Sequence, residues 1–294
     1  MAIDGAGYRA QLAEALREIR VATGLSGNMF AQRLAEANPE LIKPGRAQSF
    51  VSKIETGKQV PSRPQLVAWV ETAGRGNLDW LQERAERARY EQKTFKDAFD
   101  AGQGRQMQLD IRTLEKLCRV HLKFQPMILP SQVRTARYAH EMLSKIDGAP
   151  GSRGATPAEI DTFVADQMDR KDVLRDPDKK VRVVVLEAAL RYPLASPTTM
   201  RLQLSSLLDL SDWPSLEFGI IPLGTLLPVM PMTGFGVWDD TLVTIETMTG
   251  LGELRNQDDI EAYDRYFQEL AGVAVYGDAQ WPLIQTAIDA LPRS

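Results

Sequence analysis

Cysteine is almost missing from this chain: Cys118 is its single thiol. One thiol excludes an internal disulfide and any zinc site built on several cysteines. Histidine is nearly as scarce. His121 and His140 lie 19 positions apart on separate predicted helices, so no His-x-x-x-His metal pair exists. No apolar stretch approaches the ~20 residues that span a bilayer. The longest, VRVVVLEAAL at 181–190, is interrupted by Arg182 and Glu187. The opening MAIDGAGYRAQLAEALREIR lacks a basic stretch followed by an apolar one, so no signal peptide is expected. No glycine-rich phosphate loop precedes a helix, and no Gly-x-Ser-x-Gly elbow occurs. These absences argue against an enzyme, a metal, a cofactor and a membrane, and for the reducing cytoplasm.

What is present is an ordinary globular composition, 44% hydrophobic and 25% charged over 294 residues, enough for two domains. The net charge of −4 hides an asymmetry. Residues 1–90 carry 13 basic and 10 acidic side chains, whereas the rest carries 22 and 29. Within 42–63, Lys43, Arg46, Lys53, Lys58 and Arg63 face a single acid, Glu55. A local basic patch beside an acidic remainder suits one domain that meets DNA; a solvated helix face is the plain alternative.

Helical spacing organises the first third. Tyr8, Leu12, Leu16 and Ile19 share one face, and Gly24 ends that helix. Ser26 is placed to cap a second helix with Phe30 and Leu34 inward. ANPELIKPG (37–45) reads as a loop or turn. A third helix runs from about Ala47 to Glu55, with Val51 and Ile54 inward and Gly57 after it. A fourth covers Gln65–Ala73, with Leu66, Trp69 and Val70 buried. Asn77 opens a fifth, extending from Leu78 to about Ala98. The outer side of the third helix presents Arg46, Gln48, Ser49, Ser52 and Lys53. Glutamine pairs with adenine edges, arginine and lysine with guanine or phosphate, and serine with either.

LREIRVATGLS (16–26), FAQRLA (30–35) and SFVSKIETGKQVPS (49–62) together resemble the phage-repressor-like (Cro/C1, XRE-type) helix-turn-helix domain. Val51, Ser52, Ile54, Glu55, Gly57 and Pro61 stand at that family's Val-Ser-x-Ile-Glu-x-Gly-x-x-x-Pro places. The resemblance implies double-stranded DNA as partner, with Gln48, Ser49, Ser52 and Lys53 as reading positions. Arg46 and Lys58 flank them on the basic stretch. Two departures stand out. Gly27 replaces the usual glutamine after the capping serine, and the turn between helices 2 and 3 is longer by roughly ten residues (37–46).

The second half mixes helices with strands. Helices are expected at 110–122, 132–146, 157–175, 198–210, 257–275 and 280–291. Residues 124–130 should be extended, and 101–109 and 149–156 loops. VRVVVL (181–186), LEFGIIPL (216–223), GFGVWD (234–239) and TLVTIETM (241–248) read as strands, the last two joined by a turn at Asp239–Asp240. FQPMILPSQVRTARYAHEML (124–143), VVVLEAALRY (184–192) and MRLQLSSLLDL (200–210) resemble the uncharacterised C-terminal domain found behind such helix-turn-helix domains in bacterial toxin–antitoxin-like regulators. That implies a regulatory role, in proteins encoded beside a small partner protein. A homodimer is expected because one small helix-turn-helix reads too few base pairs, with a small-molecule effector or a small partner protein as the signal.

Other chemistry is thinner. Glu187 and Glu246 are candidates for paired carboxylates, though single strand acids are the commoner case. Trp213, Phe218, Met232, Phe235 and Trp238 would line an apolar pocket or, more ordinarily, pack a core. Cys118 reads as core filler, and both histidines as surface or boundary residues. The expected architecture is α+β: a helix-turn-helix bundle of about five helices at 1–75, a helical connector at 76–104, and an α+β domain at 105–294 with a small, mainly antiparallel sheet. The expected function is sequence-specific DNA binding in transcription regulation. The alternative is an antitoxin-like module that sequesters a partner protein.

Overall fold

The computed structural model describes residues 5–88, 90–94, 104–145, 156–210, 213–247 and 250–292. The loop expected at 149–156 therefore lies almost wholly outside the described residues. The chain divides into two compact units. Unit 1 holds Met1–Gln92 together with two returning segments, Asp240–Val243 and Gly252–Ala262; unit 2 holds the remainder.

Unit 1 opens with helices α1 (Gly5–Val21), α2 (Gly27–Ala37), α3 (Ala47–Glu55), α4 (Arg63–Ala73) and α5 (Leu78–Ala88). Each starts and stops where local chemistry directs. Ser26 accepts the Met29 amide at 3.3 Å and caps α2. Ser62 and Gln65 form a reciprocal capping box on α4. The Asn77 side chain accepts the Trp80 amide at the head of α5. Gly57 sits at φ +66° just beyond α3, a left-handed conformation that only glycine adopts without strain. The inward residues expected from periodicity form one core: Leu12, Leu16, Phe30, Leu34, Val51, Ile54, Leu66 and Trp69 are buried together. Trp69 is its centre. Its ring lies 4.9 Å from Phe30, and its indole N–H donates to the Leu16 carbonyl. The fifth helix is shorter than expected. It ends at Ala88, and Tyr90–Thr94 follow as strand β1 beside β7. Strand pairing prevails there over the helix-forming composition of ERAERARYEQK.

The strands depart further from expectation. The sheet has eight strands in the order β1-β7-β6-β5-β2-β3-β4-β8 and is mixed, neither small nor mainly antiparallel. The strands beyond β1 are β2 (Val120–Gln125), β3 (Lys180–Leu186), β4 (Leu216–Ile221), β5 (Phe235–Trp238), β6 (Leu242–Glu246), β7 (Gly250–Leu254) and β8 (Val275–Tyr276). β2, β3 and β4 run parallel, while β5 and β8 are antiparallel to their neighbours β2 and β4. Parallel strands need crossover segments. These are α7 (Ala136–Leu143) and α8 (Pro157–Arg170) between β2 and β3, then α9 (Ala188–Arg191) and α10 (Pro197–Ser205) before β4. α6 (Gly104–Leu117) precedes β2; α11 (Gln257–Gly272) and α12 (Trp281–Asp289) close the chain. α6 begins inside the expected loop 101–109 and stops at Leu117, so His121 lies on a strand rather than a helix. In the run VRVVVL, Val181, Val183, Val184 and Val185 are buried and Arg182 and Leu186 half-buried, so the strand is covered on one face and largely on the other.

Candidate nucleic-acid interface

The basic stretch of unit 1 is shaped by what lies beneath it. Ala47, Phe50, Val51 and Ile54 are buried, which turns the opposite side of α3 outward. Arg46, Gln48, Ser49, Ser52 and Lys58 are all exposed, and Lys53 is half-buried. Glu55, the single acid of the stretch, is withdrawn from that face. Arg20 grips it with both edges of its guanidinium, Nη2 to Oε2 at 3.0 Å and a closer Nε–Oε1 contact, while Nη1 donates to the Leu25 carbonyl. The hydrogen bond to Glu55 holds the Arg20 pKa above its ordinary value. This fork ties the end of α1 to the end of α3 and leaves the outward row without an uncompensated negative charge.

The expanded turn between α2 and α3 is anchored. Its Leu41 and Ile42 amides donate to the Asn38 carbonyl, and Ile42 is buried in the core. A short 3-10 turn, Pro44–Arg46, leads into α3. Lys43 and Arg46 are thereby left exposed at the head of the helix. Between α2 and α3 lies an open groove of about 640 Å³, lined by Asn28, Ala31, Gln32, Ala35, Pro44 and Gln48 among others. Gln32 did not stand out in the sequence. Its signal was the i+4 spacing from Asn28, which puts both amides on the solvent side of α2.

The remaining sequence candidates resolve as packing. Glu187 and Glu246 are not brought together. Glu187 takes Arg191 and the Leu223 amide. Glu246 takes Lys123 and Gln125. Burial alone would raise Glu246, and the Lys123 ammonium outweighs it and lowers its pKa. His121 is 5% exposed, a correction to its expected surface position. It stacks on Trp238 with ring centres 3.7 Å apart. Burial, with Lys123 and Arg170 nearby, pushes its pKa well down, so the ring is neutral at pH 7. Gly236 permits this stack, because a Cβ there would come within 3.1 Å of His121 Nε2. Phe218, Phe235 and Trp238 are core, Trp213 packs at its edge, and Met232 is 82% exposed, so the five form no common pocket. The Cys118 thiol is buried and pushed up to about 12, chiefly by burial. His140 lies 3.2 Å from Asp161. Among the described residues no group of three or more His, Cys, Asp or Glu side chains could hold a metal ion, and no helix is long and apolar enough to cross a membrane.

Comparison with known families finds two matches along the chain. A helix-turn-helix domain model matches residues 11–79, spanning α2, the expanded turn and α3. A model for a domain of unknown function, DUF5753, matches residues 108–285. No curated protein and no solved structure matches the chain. The second match covers more than half of the sequence, and the chain belongs to the DUF5753 family, with a helix-turn-helix domain ahead of that domain.

Proposed function

We propose that this protein is a sequence-specific DNA-binding transcriptional regulator of the Cro/C1 (XRE) kind. The observation that carries the reading is the outward face of α3, where Arg46, Gln48, Ser49 and Ser52 stand exposed beside an open groove. α3 enters the major groove, with Gln48 and Ser49 at base edges; Lys43, Arg46 and Lys58 meet phosphates. A bundle this small reads few base pairs, so the protein acts as a homodimer on paired half-sites. The DUF5753 domain receives the signal, from a small molecule or a partner protein, in the cytoplasm.

A second reading has its own observation. The segment between β4 and β5 leaves Leu223, Leu226, Met230 and Met232 exposed, Leu226 at 92%. Apolar side chains in that number suit a protein partner, antitoxin-fashion, with DNA binding serving autoregulation. Fluorescence anisotropy on the protein's own upstream DNA against a scrambled duplex, across a salt series, separates the readings. Tight, salt-sensitive preference for the upstream DNA supports the regulator. Equal weak binding to both duplexes removes sequence-specific readout by this protein alone.

A further inference from the structure

Lys53 stands apart from the rest of the α3 face. Its neighbours are exposed, while its own side chain is 21% exposed and its Nζ donates to Asp240 Oδ1 at 2.8 Å. Asp240 lies 187 residues away in sequence, in the turn after β5, and Asp240–Val243 belong with α3 to unit 1. We propose that Asp240 is a built-in competitor for DNA: its carboxylate occupies on Lys53 the place a DNA phosphate takes in the complex, and so sets the affinity of α3 for its operator. The inference rests on the reading of α3 as the DNA-contacting helix.

Carboxylate and phosphate oxygens are equivalent acceptors for an ammonium, and a Lys53 committed to one is drawn from the other. The returning chain is also held beside this end of α3 by bonds of its own. The Val60 amide donates to the Arg255 carbonyl at 2.9 Å, and Gln59 Nε2 donates to Gln257 Oε1 at 3.1 Å. Val60 is fully buried and forms an isolated parallel bridge with Asn256. The Asp240 side chain is 55% exposed, so water hydrates the carboxylate once Lys53 leaves it. An ion pair of this exposure is weak, which makes the contact a graded adjustment of affinity rather than a lock.

The test is anisotropy of the full-length protein on its upstream DNA across a salt series, for wild type, Asp240→Asn, Lys53→Met and the double variant. Asp240→Asn should bind about two- to fivefold tighter. Its log affinity should fall more steeply with log salt, by up to about 0.9, because no carboxylate takes up a cation when Lys53 turns to phosphate. In the Lys53→Met background the gain should vanish. Wild-type affinity and slope in Asp240→Asn overturn the proposal, as does a gain that persists without Lys53. Failure of the underlying reading looks different: Lys53→Met and Gln48→Ala would then both bind as wild type does.

Discussion

The two units place their polar side chains in opposite ways. In unit 1 the core is apolar, and the chemistry-bearing residues of α3 stand outside it, at positions 46, 48, 49 and 52. In unit 2 one face of β2 buries His121, Lys123 and Gln125, which find partners in Trp238 and Glu246. Outward polar residues with no structural duty are available to a ligand. Inward ones already committed, Lys123 and Gln125 by hydrogen bonds to Glu246 and His121 by its stack on Trp238, hold the sheet together. The contrast explains why a surface reading works for one unit and misleads for the other.

The sharpest way to break the comparison is to remove the centre of the first core. Trp69→Ala should cost about 3–5 kcal/mol. Hydrogen exchange read by mass spectrometry should then show lost protection in α2–α4 and also in 252–262, while Val181–Leu186 stays protected. Protection retained in 252–262 would detach that segment from unit 1. The next effect concerns binding alone. Gln48→Ala with Lys53→Ala should weaken operator binding by about 1–3 kcal/mol for the lost Gln48 base contact, with a smaller further loss for the Lys53 phosphate contact, and leave the fold intact. Normal binding by this variant would remove α3 as the reader.

Smaller effects probe the buried row of unit 2. The folded His121 refuses a proton that the unfolded chain accepts near its ordinary pKa. A lowered histidine pKa gives stability that is present at neutral pH and lost as pH falls below about 6.5. Between pH 7 and 5.5, wild type should lose about 1 kcal/mol more than His121→Gln in urea titrations; equal losses would place the ring in solvent. The smallest effect is at Glu141 on α7. It accepts the Ser196 amide at 2.6 Å and the Thr199 hydroxyl at 2.5 Å, sealing the start of α10. The Ser196 and Thr199 hydrogen bonds hold its pKa down at about 2. A depressed carboxylate contributes above the unfolded pKa and ceases to as pH falls toward 2. Glu141→Gln should cost roughly 0.5–1 kcal/mol at pH 7 and almost nothing at pH 2.

Legibility followed the range of the forces involved. The helices of unit 1 were readable because caps, glycines and 3.6-residue spacing act within a few residues. Leu16, Phe30, Ile54 and Trp69 lie in the core that their spacing implies. β2 was not readable. VHLKFQ has charged and imidazole side chains on the alternate positions that a buried strand usually fills with apolar ones, and the Lys123 ammonium is met by Glu246, 123 residues away. The parallel core of the sheet was hidden for the same reason, since without β2 the helices before β3 cannot be seen as a crossover.

By itself the sequence determined an all-helical start, a strand at VRVVVL, the caps that open α2 and α5, and which side of α3 turns outward. Those features depend on periodicity and on hydrogen bonds between near neighbours. Tertiary structure alone decided that β2 runs parallel to β3, that His121 is buried and neutral, and that Lys53 meets Asp240. Each depends on a partner far along the chain, and local propensity carries no information about which distant carboxylate will arrive.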